Sequence, residues 1–346
     1  MRSGPAAAKI VSRRRPSRRS RTVSAGIATV AVSLLAAGCN VLGTGSSPAA
    51  LARTSITVAA QPGVDNAPLY LALHSGLFAS AGLTVNIQPY SSVGKEIAAL
   101  SNGSADVAVG DYADFFYAQD ATNHPGFSIV ADAYDAAPSV MQVLALPGTI
   151  TTPQQLAGKT IGTSEPQAIP FSATLPYSEE TLATQSVLTD SGVDLSTVHW
   201  KAMPTNQLIG ALQSHQVSAI IATEPTIYQA ETRLGATQVI DSCSGKTGSM
   251  PLTGYFTLGS FSHKYRSTVL AFRSALLKAQ AQAAQAAQVQ AVLASDEHMG
   301  SQTASLVTLG VYPTALKASS LQRVAALMSE FNRLTTPITV SAMIFH

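Results

Sequence analysis

Three carboxylates, Asp65, Asp111 and Glu224, each stand where an apolar, β-rich run gives way to a helical one. The first follows Ser55–Ala60, in the loop Gln61-Pro-Gly-Val-Asp65-Asn66-Ala-Pro68. The second follows Asp106–Gly110 and is followed by Tyr112. The third follows Ala219–Ala222 and precedes Pro225. Two further junctions of the same kind carry Ser91 and Ser92, after Leu83–Gln88, and Ser164, after Lys159–Thr163. In open α/β sheets, ligands bind at the carboxyl ends of the strands. The free N–H groups of the helices that start there favour oxygen-rich partners. Any one of these residues reads equally well as an N-cap or turn residue, since Ser, Asn and Asp usually serve that way. As a set, Gln61, Asp65, Asn66, Ser91, Ser92, Asp111, Tyr112, Ser164, Tyr177 and Glu224 describe a small-molecule cleft.

The ionic balance of that cleft limits what it can hold. No arginine lies between Arg53 and Arg233, and Lys95 is the one cation near the expected loops. Tyr70, Tyr90, Tyr112 and Tyr177 lie close to them in sequence. Three carboxylates oppose an anion. A neutral or cationic nitrogen heterocycle suits the set better, with tyrosine faces to stack on and carboxylates to accept from amino or ring N–H groups. The opposing reading makes Asp65 and Asp111 solvent-facing caps and leaves an anion to the helix N-termini. The seven histidines show no His-Glu-x-x-His or other paired metal spacing, so no metal is expected. No Gly-x-Ser-x-Gly elbow occurs, and Gly158-Lys159-Thr160 lacks the upstream glycine of a phosphate loop. No catalytic residue and no cofactor is implied.

Alternating strand and helix runs must position these residues. After the strands above come helices over Pro68–Ala79, Lys95–Ser101 and Tyr112–Ala121, then strands over Phe127–Ala133 and Val140–Leu146. Pro68 suits a first helical turn, where its missing N–H costs nothing. The pattern restarts with a turn at Thr152–Leu156, a helix over Tyr177–Ser191 and a strand over Val198–Ala202. Helices over Asn206–Ser214 and Pro225–Leu234 flank the strand Ala219–Ala222, and strands over Thr237–Ile240 and Thr253–Gly259 follow. Such alternation implies parallel strands with crossover helices, the α/β class. From Ser262 to the end the pattern reads as helical, including the Ala/Gln-rich stretch Ala279–Ala294, which Leu276, Leu277, Val289, Val292 and Leu293 supply with an apolar stripe.

The first 38 residues read as a separate segment. A basic head holding Arg13, Arg14, Arg15, Arg18, Arg19 and Arg21 precedes the uncharged run Val23–Ala37, which is too short to span a bilayer comfortably. Small residues then lead to Cys39, as at a secretory cleavage site. The run Leu35-Ala-Ala-Gly-Cys39 resembles a bacterial lipoprotein signal, in which the cysteine thiol receives a lipid. Asn40–Ala52, rich in Gly, Ser, Ala and Pro, reads as a tether. Eight basic residues lie before Cys39, so the remainder carries 13 basic against 19 acidic residues. That acidic balance argues against nucleic acid as a partner. With Cys39 lipidated, Cys243 has no partner and no disulfide forms. The roughly 300 residues after Cys39 exceed what one core usually holds, so two lobes are expected.

Four blocks then carry a family resemblance. Ala67-Pro-Leu-Tyr-Leu-Ala-Leu-His-Ser-Gly-Leu-Phe-Ala-Ser-Ala-Gly-Leu-Thr-Val85 resembles the opening of the solute-binding proteins of nitrate, sulfonate and thiamine-precursor ABC importers. Ala98-Ala-Leu-Ser-Asn-Gly-Ser-Ala-Asp106-Val-Ala-Val-Gly-Asp-Tyr112 resembles their next block. Leu156-Ala-Gly-Lys-Thr-Ile-Gly162 is similar to the start of their second lobe, and Ala219-Ile-Ile-Ala-Thr-Glu224-Pro225 to the loop that ends it. The resemblance implies a two-lobed periplasmic-binding-protein type II fold with two crossing hinge strands, near Met141–Leu146 and Thr253–Leu258. Lobe 1 would comprise 55–144 and 254–346, and lobe 2 would comprise 145–253. It implies a monomer on the extracytoplasmic face of the cell membrane, anchored by lipid on Cys39. That monomer closes on a small-molecule ligand and docks on an ABC permease. An aminopyrimidine thiamine precursor fits the acidic loops; a sulfonate, taurine or nitrate is the alternative ligand. Pyrimidine synthases resemble the same proteins but carry a cysteine-rich iron motif and a reactive histidine, which this chain lacks. Glu224 is the strongest single candidate for ligand contact. Its replacement, Glu224→Ala, is expected to weaken ligand binding by about tenfold or more without unfolding the protein. Unchanged affinity in calorimetry would remove Glu224 from the site.

Overall fold

The computed structural model describes residues 51–121, 126–164, 178–296 and 299–346. The expected signal segment, Cys39 and Tyr177 lie outside them. The chain runs β1 (Ser55–Ala60), α1 (Ala67–His74), α2 (Leu77–Ser80), β2 (Thr84–Pro89), α3 (Val93–Asn102), β3 (Val107–Asp111), α4 (Tyr112–Asp120) and β4 (Phe127–Asp135). It continues with β5 (Met141–Ala145), β6 (Thr160–Ser164), α5 (Glu179–Asp190), β7 (His199–Met203), α6 (Thr205–Gln213), β8 (Ala219–Thr223), α7 (Thr226–Leu234) and β9 (Thr237–Asp241). It ends with β10 (Pro251–Leu258) and helices α8 (Gly259–Lys264), α9 (Arg266–Ala283), α10 (Ala286–Ser295), α11 (Ser301–Leu306) and α12 (Ala318–Glu330).

These strands form two five-stranded sheets, ordered β2-β1-β3-β10-β4 and β7-β6-β8-β5-β9. Each sheet contains one strand that runs against its neighbours. β10 is antiparallel to β3 and β4, and β5 is antiparallel to β8 and β9. The all-parallel expectation fails at these two strands, because they are the ones that arrive from the other lobe. All of β5 pairs within the second sheet. The expected lobe boundary between Leu144 and Ala145 therefore falls inside a strand, and the crossing lies at residues 136–140 instead. The return crossing precedes Pro251. The two crossings touch: the Ala136 N–H donates to the Met250 carbonyl at 2.8 Å. Each also holds a serine with positive φ, Ser139 at 66° and Ser249 at 54°.

Two expected helices are interrupted. Pro68–Ala79 divides at Gly76, whose left-handed φ of 66° ends one helix and starts the next. The C-terminal third is not helical throughout. Residues 307–317 leave the helical pattern and run back past the lobe junction, where Val311 bridges Asp135. Gly310 packs so tightly there that a Cβ would lie 2.5 Å from the Asp135 carbonyl. Residues 331–339 are also irregular.

Burial explains the order of the first lobe. Phe115 stacks on Phe256 with centroids 3.7 Å apart, which joins α4 to β10. Phe78 stacks on Phe272 at 5.1 Å, which joins α2 to α9. A smaller apolar cluster around Leu144, Leu208, Leu212 and Ile220 holds α6 against the second sheet. At Gly254, on β10, an added Cβ would come within 2.6 Å of the Tyr112 ring. That ring is fully buried against Phe116 and Phe256, and its hydroxyl donates to Asp132 at 3.0 Å, so it has nowhere to move. Gly254→Ala is expected to destabilise the protein by about 1–3 kcal/mol through overpacking. Thermal denaturation measures this; an unchanged Tm would mean that Tyr112 is less tightly held than its contacts indicate.

Candidate ligand-binding cleft

Strand ends from the two sheets face a common cavity of about 330 Å³. The first lobe contributes the β1–α1 loop with Gln61 and Asp65, Ser91 before α3, Asp111 at the end of β3, Asp114 in the first turn of α4, and Tyr134 on β4. The second contributes Ser164, the start of α5 with Ser178, Glu179 and Glu180, and the β8–α7 junction with Thr223 and Glu224. Thr253 of β10 and Thr308 complete the wall. Six carboxylates thus line one cavity, and among the described lining residues there is no lysine, arginine or histidine. No group of acidic, histidine or cysteine side chains among the described residues is arranged to hold a metal ion.

The local sequence explains why acids gather here. Ser178 caps α5, its hydroxyl accepting from the Thr181 N–H, which places Glu179 and Glu180 in the first turn. Acids are favoured there by the partial positive charge of the helix start. Asp111 and Asp114 occupy the N-cap and first turn of α4 in the same way. The two helix starts face each other across the cleft. The Ala113 N–H of α4 donates to Glu179 Oε2 at 2.9 Å. Glu180 Oε2 accepts from the Ser164 hydroxyl at 2.7 Å.

Burial dominates the electrostatics. It pushes the Asp65 carboxyl up to about 6, although backbone N–H groups at Asp65 and Asn66 and the Thr253 hydroxyl pull it back. Asp114 rises to about 7, through burial and then the Glu180 charge. Glu179 rises to about 8, through burial opposed by the Ala113 N–H. Asp111 is held well above the carboxylate range by burial and by the charges of Asp114, Glu179, Asp65 and Glu180. Glu96, fully buried on α3, is raised well above its usual value by burial and by the charges of Asp65 and Asp114. Burial raises Glu180 and Glu224 as well.

Six of the residues expected from the sequence line the cavity: Gln61, Asp65, Ser91, Asp111, Ser164 and Glu224. Three do not. Asn66 is buried and donates to the Gln61 carbonyl, bracing the loop from behind. Ser92 is the buried N-cap of α3 and accepts from the Lys95 N–H at 3.3 Å. Tyr112 turns under α4 into the core. Of the tyrosines expected nearby, Tyr70 and Tyr90 also lie off the cavity wall, and Tyr134 supplies the aromatic face instead. Lys95 reaches the Ser91 hydroxyl at 2.6 Å from outside. Glu224 lines the cavity, but both its oxygens are engaged: Oε2 accepts from the Tyr228 N–H at 3.1 Å and Oε1 from the Thr308 N–H at 3.0 Å. It therefore ties the second lobe to the returning C-terminal segment.

The cleft between two mixed α/β lobes joined by two crossing segments defines the periplasmic-binding-protein fold. The NMT1/THI5-like family profile matches residues 64–291, and the chain belongs to that family. Comparison with curated protein sequences gave no match. Among solved structures, the chain is similar to the alkanesulfonate-binding protein SsuA from Xanthomonas axonopodis pv. citri bound to MOPS. The TM-score is 0.64 at 16% identity, over 84% of this chain and 98% of that one. It is similar to the periplasmic nitrate-binding protein NrtA from Synechocystis PCC 6803, with TM-score 0.65 at 13% identity, over 85% and 86%. It is also similar to the desulfurization enzyme DszB, with TM-score 0.64 at 14% identity, over 84% and 96%. The neighbours are thus mainly binding proteins, with one enzyme on a similar fold. No helix among the described residues is long and apolar enough to cross a membrane.

The raised carboxyls have a consequence for stability. Each binds its proton more tightly in the folded protein than in the unfolded chain, so the folded state holds more protons from about pH 4 to about pH 8. Over that window their contribution to stability falls as pH rises. The ligand-free Tm is expected to drop between about pH 5 and about pH 8, and a cationic solute should offset the drop. Calorimetry across this range tests it; a Tm that climbs with pH would count against buried carboxylic acids.

Proposed function

We propose that the chain is an extracytoplasmic solute-binding lipoprotein that captures a small nitrogen-containing nutrient between its lobes and delivers it to the permease of an ABC importer. The observation that carries this reading is the convergence of carboxylates from both lobes on one cavity whose described lining holds no basic side chain. Family membership and the names of the binding-protein neighbours support the transport role. The cavity's acidic lining supports a ligand unlike the anions those neighbours are named for. A sulfonate or nitrate would meet no basic side chain among the described lining residues and would be repelled by those of Asp65, Asp111, Asp114, Glu179, Glu180 and Glu224 that are ionised. An aminopyrimidine thiamine precursor, or a similar amino-heterocycle, offers N–H donors to these oxygens and a flat face to Tyr134. A lipid on Cys39 would hold a monomer at the membrane through the Asn40–Ala52 tether.

A thermal-shift screen tests the ligand. Its panel comprises aminopyrimidines, thiamine, flavins, taurine, alkanesulfonates, nitrate and bicarbonate. A solute that binds only the folded state raises the Tm by an amount that grows with its concentration over Kd. An aminopyrimidine is expected to do so. A shift with sulfonate or nitrate alone would overturn the acidic-cleft reading. For the anchor, Cys39→Ser is expected to move the protein from the membrane fraction to the soluble one; retention at the membrane would remove the lipid from the proposal.

A further inference from the structure

Helix α4 of the first lobe receives a capping bond from the second lobe. Asp111 occupies its N-cap position with extended backbone, at φ −65° and ψ 136°, yet its side chain makes no capping bond. An aspartate at this position ordinarily accepts from the second or third N–H of its own helix. Here the second, that of Ala113, donates to Glu179 Oε2 at 2.9 Å. The other Glu179 oxygen, Oε1, is buried without a hydrogen-bond partner, and the residue is only 1% exposed. Glu179 and the uncommitted Asp111 both line the cavity. A buried carboxylate oxygen with no donor is costly, and native structures supply one. Since the described residues leave Glu179 Oε1 without a donor, the cavity's occupant is the natural source.

We propose that Glu179 caps α4 across the cleft and so releases Asp111, and that Glu179 Oε1 and the Asp111 carboxylate together seat a planar cation carrying several N–H groups, such as an amidinium or a protonated amino-heterocycle. One carboxylate comes from each lobe, so the seat exists only while the lobes are together. When they part, Asp111 is free to turn onto the Ala113 N–H and cap its own helix, which dismantles the seat. A cation that needs both carboxylates therefore favours the joined state by its extra affinity for it. The inference rests on reading the cavity as a solute site; it requires neither the importer nor an aminopyrimidine.

The test uses benzamidinium and its neutral isostere benzamide as probes, with calorimetry for affinity and hydrogen exchange for the Ala113 amide. The wild-type protein is expected to bind benzamidinium and to bind benzamide at least about tenfold more weakly. Glu179→Gln keeps an amide oxygen for Ala113, so protection of that amide is expected to persist while benzamidinium affinity falls about tenfold or more. Glu179→Ala passes the cap to Asp111. Protection is then lost in full only when Asp111→Ala is added. Absence of saturable benzamidinium binding, or equal affinity for the two probes, overturns the seat. If Glu179→Ala alone exposes the Ala113 amide as fully as the double change, the exchange of caps is overturned. If aminopyrimidines fail in the nutrient screen while benzamidinium binds through Glu179, the proposed nutrient falls and the seat stands.

Discussion

Carboxylates buried together, with no counter-charge among the described lining residues, govern this structure. Each group alone would ionise at neutral pH, but six around one cavity cannot all do so without mutual repulsion and loss of hydration. The fold answers with the donors it has. Backbone N–H groups at the starts of α4 and α7 and the Ser164 hydroxyl each support one acid, and protons held on raised carboxyls remove part of the charge. What is left is a cavity whose described lining offers oxygen acceptors and no basic side chain.

The topology serves that arrangement. Two sheets whose strands end at a common gap can place many helix starts in a small volume, which one sheet cannot do without steric conflict. The crossing strands β5 and β10 run against their neighbours because they enter from the opposite lobe. The segment 307–317 abandons helix to bring the Thr308 N–H to Glu224. This third strand of contact lets a carboxylate on the second lobe sense the C-terminal part of the first.

Much of the framework is legible in the sequence because periodicity and punctuation record it. Alternating apolar runs locate the strands, and Asp65, Asp111, Ser91, Ser164 and Glu224 follow directly as strand-end residues. The missed site residues have specific causes. Glu179 and Glu180 are separated from β6 by a long connection, so the strand end does not point to the helix start it faces. The signature was present nonetheless, as Ser178 followed by two acids. Asp114 lies in the first turn of its helix, where it looks like an ordinary acid favoured by the helix start. Asn66, Ser92 and Tyr112 turn away from the cavity, since adjacency in sequence does not decide which way a side chain points. Asn66 is held by the Gln61 carbonyl of its own loop, Ser92 by the helix it caps, and Tyr112 by Asp132 on β4. Tyr134 is the penultimate residue of β4, just past the expected strand Phe127–Ala133, and no helix start follows it to mark it as part of the cleft.

Cys243 shows how thoroughly the interior is sealed. Its side chain is 3% exposed, and burial pushes its thiol up to about 12, so the reactive thiolate is scarce in the folded protein. It is the one cysteine among the described residues. A thiol reagent that cannot enter the core would find it only after the second lobe opens from within. The residue thus acts as a built-in clock for unfolding. Its labelling rate reports how often that buried interior opens, with no tag or engineered probe.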